Sequence, residues 1–268
     1  MPLAYDHDFH IHSHLSVCSG NPAQTTEAML RYAEKEGLST LCLTDHFWDH
    51  DCPMYEYSDF YGVQNFEHVC ENLPLPAADG VRFLFGCETE MGRDGVIGVS
   101  PEHYDFFDFI IVPTTHFHMK GLATADEDLA TASARAATWV RRFEFLLNSD
   151  LPLRKVGLAH PVCSLIAPGD REARLATLDA VPDRDYAALF GEAAARGMGI
   201  ELNADDCRCS PEEEERLWRP FFLAKEAGCR FYYGSDSHSP AGFGNLRPLF
   251  EHAAAVLGLE EKDRYLIP

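Results

Sequence analysis

Residues 4–14 read AYDHDFHIHSH, and the conformation of this stretch decides how the remainder is read. On a β-strand alternate side chains share a face, so His10 and His12 point one way and Phe9 and Ile11 the other. A histidine tail of the kind used for purification would be an unbroken run, whereas here apolar residues alternate with the imidazoles. Two imidazoles side by side on one strand can both ligate a metal ion. HxH is a short motif, so the case has to be built from the rest of the chain.

Six further apolar runs follow the same plan: LSTLCLTDH (38–46), VRFLFGCE (81–88), FDFIIVPTTH (107–116), RKVGLAHP (154–161), GMGIELN (197–203) and CRFYYGSDSH (229–238). Between them lie segments of helical pattern, including TTEAMLRYAEKEG (25–37), TADEDLATASARAATWVRRFEFLLN (124–148), DYAALFGEAAARG (185–197) and PEEEERLWRPFFLAKEAG (211–228). Gly37, Gly197 and Gly228 fall where helices stop. Ser210 is the expected N-cap of the last of these helices, with Pro211 at its first position and carboxylates in its first turn. The segment 55–80 is only partly helical in pattern. Alternating strands and helices predict a parallel α/β architecture. Seven strands without a GxGxxG turn after the first fit a closed barrel better than an open dinucleotide-binding sheet. The expectation is one barrel domain over residues 1–268.

Each run ends in residues of metal-ligand type: His10 and His12, Asp45 and His46, Glu88, His116 with His118 beyond it, His160, Glu201 and Asn203, and Asp236 with His238. In a β/α barrel the carboxyl ends of the strands converge on one mouth, which would gather these residues. The helical segments carry few histidines, His68 and His252 among them. Imidazoles and carboxylates with few thiols suit Zn²⁺, Mn²⁺ or Fe²⁺. About eight candidates exceed the needs of one tetrahedral ion and suit two or three ions sharing a carboxylate, Glu88 or Asp236. Adjacent ions generate a hydroxide at neutral pH and clamp the oxygens of a displacement at phosphorus, so phosphoester hydrolysis is the expected reaction. No GxSxG or comparable covalent-catalysis motif is present.

Composition narrows the alternatives. The formal net charge of −21 disfavours nucleic acid as a partner, and no basic cluster offsets it. No run of about 18 apolar residues predicts a membrane span, and the N-terminus lacks a secretory pattern. The nine cysteines, without paired CxxC spacing, read as reduced thiols of a cytoplasmic protein, with Cys42 and Cys229 buried.

Taken together, DFHIH, LTDH, GCETE, TTHFH, AHP and GSDSH resemble the PHP (polymerase and histidinol phosphatase) phosphoesterases over residues 5–245. The resemblance implies a distorted (β/α)7 TIM-like barrel holding two or three divalent ions. It also implies a phosphatase of a small phosphomonoester, such as histidinol phosphate, acting through a metal-activated hydroxide. It allots His10, His12, Glu88 and Asp236 to a first ion, Glu88, His116 and His160 to a second, and His46 and His238 to a third. The family's further ligand to the third ion has no His or Asp counterpart here. Cys18 is the nearest residue, able to ligate as a thiolate, and His14 is the alternative.

Other residues carry weaker expectations. Asp45 would orient the ring of His46, or serve as a helix N-cap. Glu201 and Asn203 would orient ligands or bind substrate. Asp236 or His238 would pass a proton to the leaving alkoxide. Arg208 is the first choice for the substrate phosphate, ahead of Arg93, Lys120 and Arg247. The aromatic stretch 47–62 would wall or close the pocket, or form a small satellite core. His118 is expected in a loop, and His7, His50, His103 and His252 at the surface. Two other readings are a barrel amidohydrolase cleaving C–N bonds, which typically lacks TDH and ends in a lone Asp, and a non-catalytic module, which would show degenerate ligands.

Overall fold

The structure is a computed structural model that describes all 268 residues. Nine strand segments form: β1 (His7–Ile11), β2 (Thr40–Leu43), β3 (His46–Phe47), β4 (Arg82–Phe85), β5 (Cys87–Thr89), β6 (Ile110–Pro113), β7 (Val156–Ala159), β8 (Gly199–Asn203) and β9 (Arg230–Gly234). All pair in parallel, as β1-β2-β4 and as β3-β5-β6-β7-β8-β9. β2 and β3 are successive pieces of one strand, as are β4 and β5, which makes seven staves. Single bonds carry the pairing across the breaks, from Gly86 N–H to Leu43 O (2.7 Å) and from Glu88 N–H to Asp45 O (2.9 Å). Gly86 sits at the break because a Cβ there would lie 2.4 Å from the Phe109 carbonyl oxygen. The outermost strands also meet: Asp236 N–H donates to His10 O (2.7 Å) and His12 N–H to Ser237 O (3.2 Å).

The first strand departs from simple alternation. His7 and Asp8 pair with Thr40 and Leu41, but Ile11 pairs with Leu43, so β1 carries one extra residue between Asp8 and Ile11. Phe9 and Ile11 therefore do not share an environment. Ile11 joins the main core, with residues of the helices, whereas Phe9 packs with Phe109, Ile111, Ala159 and Tyr232 in a smaller core. Tyr265 and Ile267 of the C-terminal tail complete that smaller core.

Helices fill the crossovers for local reasons. Thr25 accepts the Ala28 N–H at the start of helix Thr26–Glu36, and Gly37 closes it at φ +68°. Helix Asp183–Arg196 ends likewise on Gly197 at φ +76°. The expected Ser210 cap is displaced. Helix Glu214–Glu226 begins three residues later than Pro211 at N1 would place it. The Glu213 carboxylate instead accepts the Ser210 N–H and pairs with Arg171, holding 210–213 as a turn. The segment 55–80 condenses into short helices, Asp59–Gly62 and Phe66–Val69, with a 3-10 turn at Cys70–Asn72. No helix is long and apolar enough to cross a membrane.

Candidate metal centre

The strand ends bring eight side chains into one cluster around the buried Glu88, six of them buried and Asp236 and His238 part-exposed at its open side. Its Oε2 lies 3.4 Å from His10 Nε2, 3.3 Å from His12 Nε2 and 3.0 Å from His46 Nδ1. Its Oε1 lies 3.0 Å from His160 Nε2 and 3.8 Å from His116 Nε2. Asp236 Oδ1 approaches His12 Nε2 at 3.2 Å, His10 Nε2 at 3.4 Å and His238 Nδ1 at 3.5 Å. Ligand atoms in four overlapping groups come close enough to share a cation: His10/His12/Glu88, Glu88/His116/His160, His10/His160/Asp236 and His12/His46/His238. Glu88, expected to bridge, takes part in two of them.

The rings are held so that the cluster receives their Nε2 atoms. His10 Nδ1 meets Glu201 Oε1 at 2.8 Å, His116 Nδ1 meets Glu90 Oε2 at 2.8 Å, and His160 Nδ1 meets Thr115 Oγ1 at 3.0 Å. Ser16 Oγ gives its proton to Asp45 and so accepts one from His12 Nδ1 at 3.1 Å. His238 Nδ1 faces the Asp236 carbonyl at 2.8 Å, and a carbonyl can only accept. With Nδ1 engaged in this way, Nε2 is the nitrogen that each of these rings turns to the cluster, and the one whose lone pair a cation would take. His46 Nδ1 is buried without a hydrogen-bond partner, because its 3.0 Å approach to Glu88 has no hydrogen-bonding alignment. An orphaned imidazole nitrogen among inward-turned Nε2 atoms and two carboxylates fits divalent cations.

The charges point the same way. Burial disfavours charge on His10, but Glu201, Asp236 and Glu88 outweigh it and hold its pKa well above the ordinary value. Burial likewise opposes ionisation of Glu88 and Asp236, yet the surrounding imidazoles keep both carboxyls far below the usual range. His238 is depressed to about 4 by burial and by His12. In the metal-free protein the raised pKa values of His10 and His160 favour protons there, which offset the buried carboxylates.

A cavity of about 350 Å³ opens over the cluster, lined by Glu88, Asp236, His46, His116, His160, His238 and His118, with Cys18, Phe60, Tyr61, Met119 and Leu165 as the remaining wall. It contains no Lys or Arg. Arg208 instead pairs with Asp205 at 2.6 Å and lines a separate groove with Arg171 and Arg174, because the short helix Ala204–Cys207 carries it away from the mouth. Arg93 and Lys120 bind Glu127 and Asp126, and Arg247 packs on Tyr5. Cys18 reaches the cavity wall but belongs to none of the four groups, and His14 is exposed and also outside them.

Other expectations need correction. Asp45 does not touch the His46 ring. It accepts the Ser13 N–H (2.6 Å), the Ser16 hydroxyl (2.7 Å) and the Asn72 amide (2.8 Å), fixing the turn after β1 and bearing on His12 through Ser16. His7 is buried, accepting the Tyr233 N–H (3.1 Å) and meeting Asp6 (2.8 Å). His103 stacks on Phe66 and binds Asp49. The stretch 47–62 serves in both expected ways: Trp48 and Tyr61 form a satellite core, while Phe60 and Tyr61 face the cavity. His118 sits exposed at the rim. Sequence reasoning missed the ring partners Glu90, Thr115 and Ser16. Glu90 had a signal, since GCETE puts it two residues from Glu88 on the same strand face.

Residues 8–151 match the family model of the PHP domain. A solved structure of histidinol phosphate phosphatase from Lactococcus lactis subsp. lactis Il1403, complexed with zinc, L-histidinol and phosphate, superposes with a TM-score of 0.59. It shares 15% identity, with 96% of this chain and 95% of that chain covered, which shows the likeness of fold. A search of curated proteins returns no match.

Proposed function

The chain belongs to the PHP domain family, and from that premise we propose that it is a metal-dependent phosphoesterase hydrolysing a small phosphomonoester. The observation that carries the reading is Glu88, a buried carboxylate with five imidazoles disposed about its two oxygens. The candidate ions are two or three of Zn²⁺, Mn²⁺ or Fe²⁺, the imidazole-and-carboxylate donors favouring these over Mg²⁺ or Ca²⁺. His10, His12, Glu88 and Asp236 would hold one, Glu88, His116 and His160 another, and His46 with His238 a third. When bound, such ions supply Lewis acidity to phosphoryl oxygens and acidify the attacking water.

The protein's own groups do the rest. With no Lys or Arg in the cavity, nothing else there offers a fixed positive charge to a phosphate dianion. His238, about a third exposed, presents Nε2 with its lone pair at the open side. That nitrogen is set to accept a proton or hold a cation, not to protonate a leaving alkoxide as expected from the sequence. Asp236 is ionised and serves the same cationic side of the site. Phe60, Tyr61, Met119 and Leu165 shield the reacting phosphate from water and pack the organic part of the substrate. A cavity of this size suits a small metabolite, and histidinol phosphate is the first to test.

The test is hydrolysis of p-nitrophenyl phosphate and a panel of phosphomonoesters, L-histidinol phosphate included, by protein loaded with Mn²⁺ or Zn²⁺. Turnover that vanishes on chelation and returns with metal is expected. Loaded protein that turns over no phosphoester, or that cleaves only amides or lactones, overturns the proposal.

A further inference from the structure

Behind His116 lies an ion pair that the hydrolytic reading does not use. Glu90 is 0% and Arg142 1% exposed, and Arg142 Nη2 donates to Glu90 Oε1 at 2.6 Å. Removing two charges from water is costly, and a buried pair is often no more stable than apolar residues of the same volume. Stability alone therefore gives little reason for the pair.

Its geometry gives a better one. All five N–H groups of Arg142 are engaged. Nε donates to Thr114 O (3.2 Å), Nη1 to Met91 O (2.9 Å) and Ala123 O (3.1 Å), and Nη2 to Glu90 and Pro113 O (3.2 Å). The guanidinium thereby ties helix Ala132–Leu147 to the chain on both sides of His116. Glu90 Oε1 also accepts the Met91 N–H at 2.7 Å. Its Oε2 is left for His116 Nδ1. The other rings are anchored differently: His12 and His160 by hydroxyls, and His10 by Glu201, which has no cation behind it and is shared with Asn203 and the His160 N–H.

We propose that Arg142, acting through Glu90, is a positioning residue that fixes His116 with its proton on Nδ1 and its Nε2 lone pair toward Glu88, and so sets divalent-cation affinity at the Glu88/His116/His160 group. The affinity part rests on the metal-dependent reading above; the tautomer part does not. Glu90→Gln cannot satisfy both neighbours, since an amide has one acceptor atom where the carboxylate has two, and its NH₂ would face a donor on one side.

The experiment pairs nitrogen NMR of the His116 ring in metal-free protein with Mn²⁺ titration calorimetry. Parent protein is expected to show the Nδ1–H tautomer of His116, and an Nε2–H form there overturns the proposal whether or not any variant folds. The double variant Glu90→Leu/Arg142→Met leaves no unpaired buried charge, so it is the one chosen to fold. It is expected to lose the single tautomer and to bind one Mn²⁺ roughly 10–100-fold less tightly. Glu90→Asp, which keeps the carboxylate, is expected to recover part of the loss. Unchanged tautomer and affinity in the double variant overturn the proposal. Parent protein that binds no Mn²⁺ or Zn²⁺ overturns the affinity part together with the metal-dependent reading, while the ring spectrum still decides the tautomer.

Discussion

Gly234, the last residue of β9 and the first of GSDSH, offers a quantitative test of how tightly the centre is built. A Cβ placed there would lie 1.8 Å from Glu201 Oε1 and 2.7 Å from His10 Cβ. Ordinary contact needs more than 3 Å, so in Gly234→Ala the carboxylate must retreat by more than about 1 Å. That breaks its 2.8 Å bond to His10 Nδ1 and its 3.1 Å bond to Asn203. Overpacking a rigid core costs about 1–3 kcal/mol, and losing a hydrogen bond to a charged group about 1.5–3 kcal/mol. Alanine regains about 0.4–1 kcal/mol by restricting the unfolded chain. The net is a destabilisation of about 2–5 kcal/mol, or a Tm lower on the order of 5–15 °C for a chain of this size. Scanning calorimetry of metal-free protein reads the stability, and Mn²⁺ titration reads the His10 groups, where weaker binding is expected. Gly191→Ala is the control: it lies within helix Asp183–Arg196 with nothing within 4 Å of its Cβ, and is expected to gain about 0.5–1 kcal/mol. If Gly234→Ala melts with the parent and binds Mn²⁺ equally well, the packing argument is wrong.

Four further outcomes are expected. Chelation should lower the Tm and release of metal should be reversible. Ions at 100 times Kd contribute about 2.7 kcal/mol, and titration in two buffers of different ionisation enthalpy should show protons leaving the imidazoles; an unchanged Tm would count against a metal centre. Arg208→Ala should leave the KM for a phosphomonoester unaltered, because Arg208 faces the neighbouring groove, whereas Phe60→Ala should raise it; the reverse pattern would return Arg208 to the site. Cys18→Ser should keep the full metal stoichiometry, since Cys18 belongs to none of the cation-sized groups, and loss of one ion measured by elemental analysis would show otherwise. Burial pushes Asp206 up to about 7, against the pull of Arg174. The folded state then holds a proton that the unfolded chain has released, so this group's contribution to stability falls as pH rises from near 4 to near 7. Asp206→Asn should become more stable relative to the parent across that window, by up to about 1.4 kcal/mol per pH unit. A stability difference that does not change with pH would exclude the shift.

How much was legible in the sequence follows from what each feature depends on. Strands could be read because apolar runs ending in His, Asp or Glu are local, and the gathering of those ends follows from parallel topology alone. The cluster around Glu88 is therefore visible in the order of the motifs, from His10 to His238. Arg142 shows only a faint local sign, a charged residue on the apolar helical face that Trp139 and Leu146 define.

Residue type and strand periodicity carried the parallel α/β plan, the seven staves and a dozen polar candidates at the strand ends, and the resemblance of the motifs to the PHP family narrowed these to the eight that meet. Long-range packing settled the rest: the extra residue in β1 that separates Phe9 from Ile11, the burial of His7 and the stacking of His103 on Phe66, the turn of Arg208 away from the mouth, and the choice of Glu201, Glu90, Thr115 and Ser16 to hold the rings. The physical reason is range. Alternation is set by each residue's own backbone, whereas a hydrogen-bond partner across 26 or 191 positions of chain, as for His116 with Glu90 or His10 with Glu201, exists only once the barrel has closed.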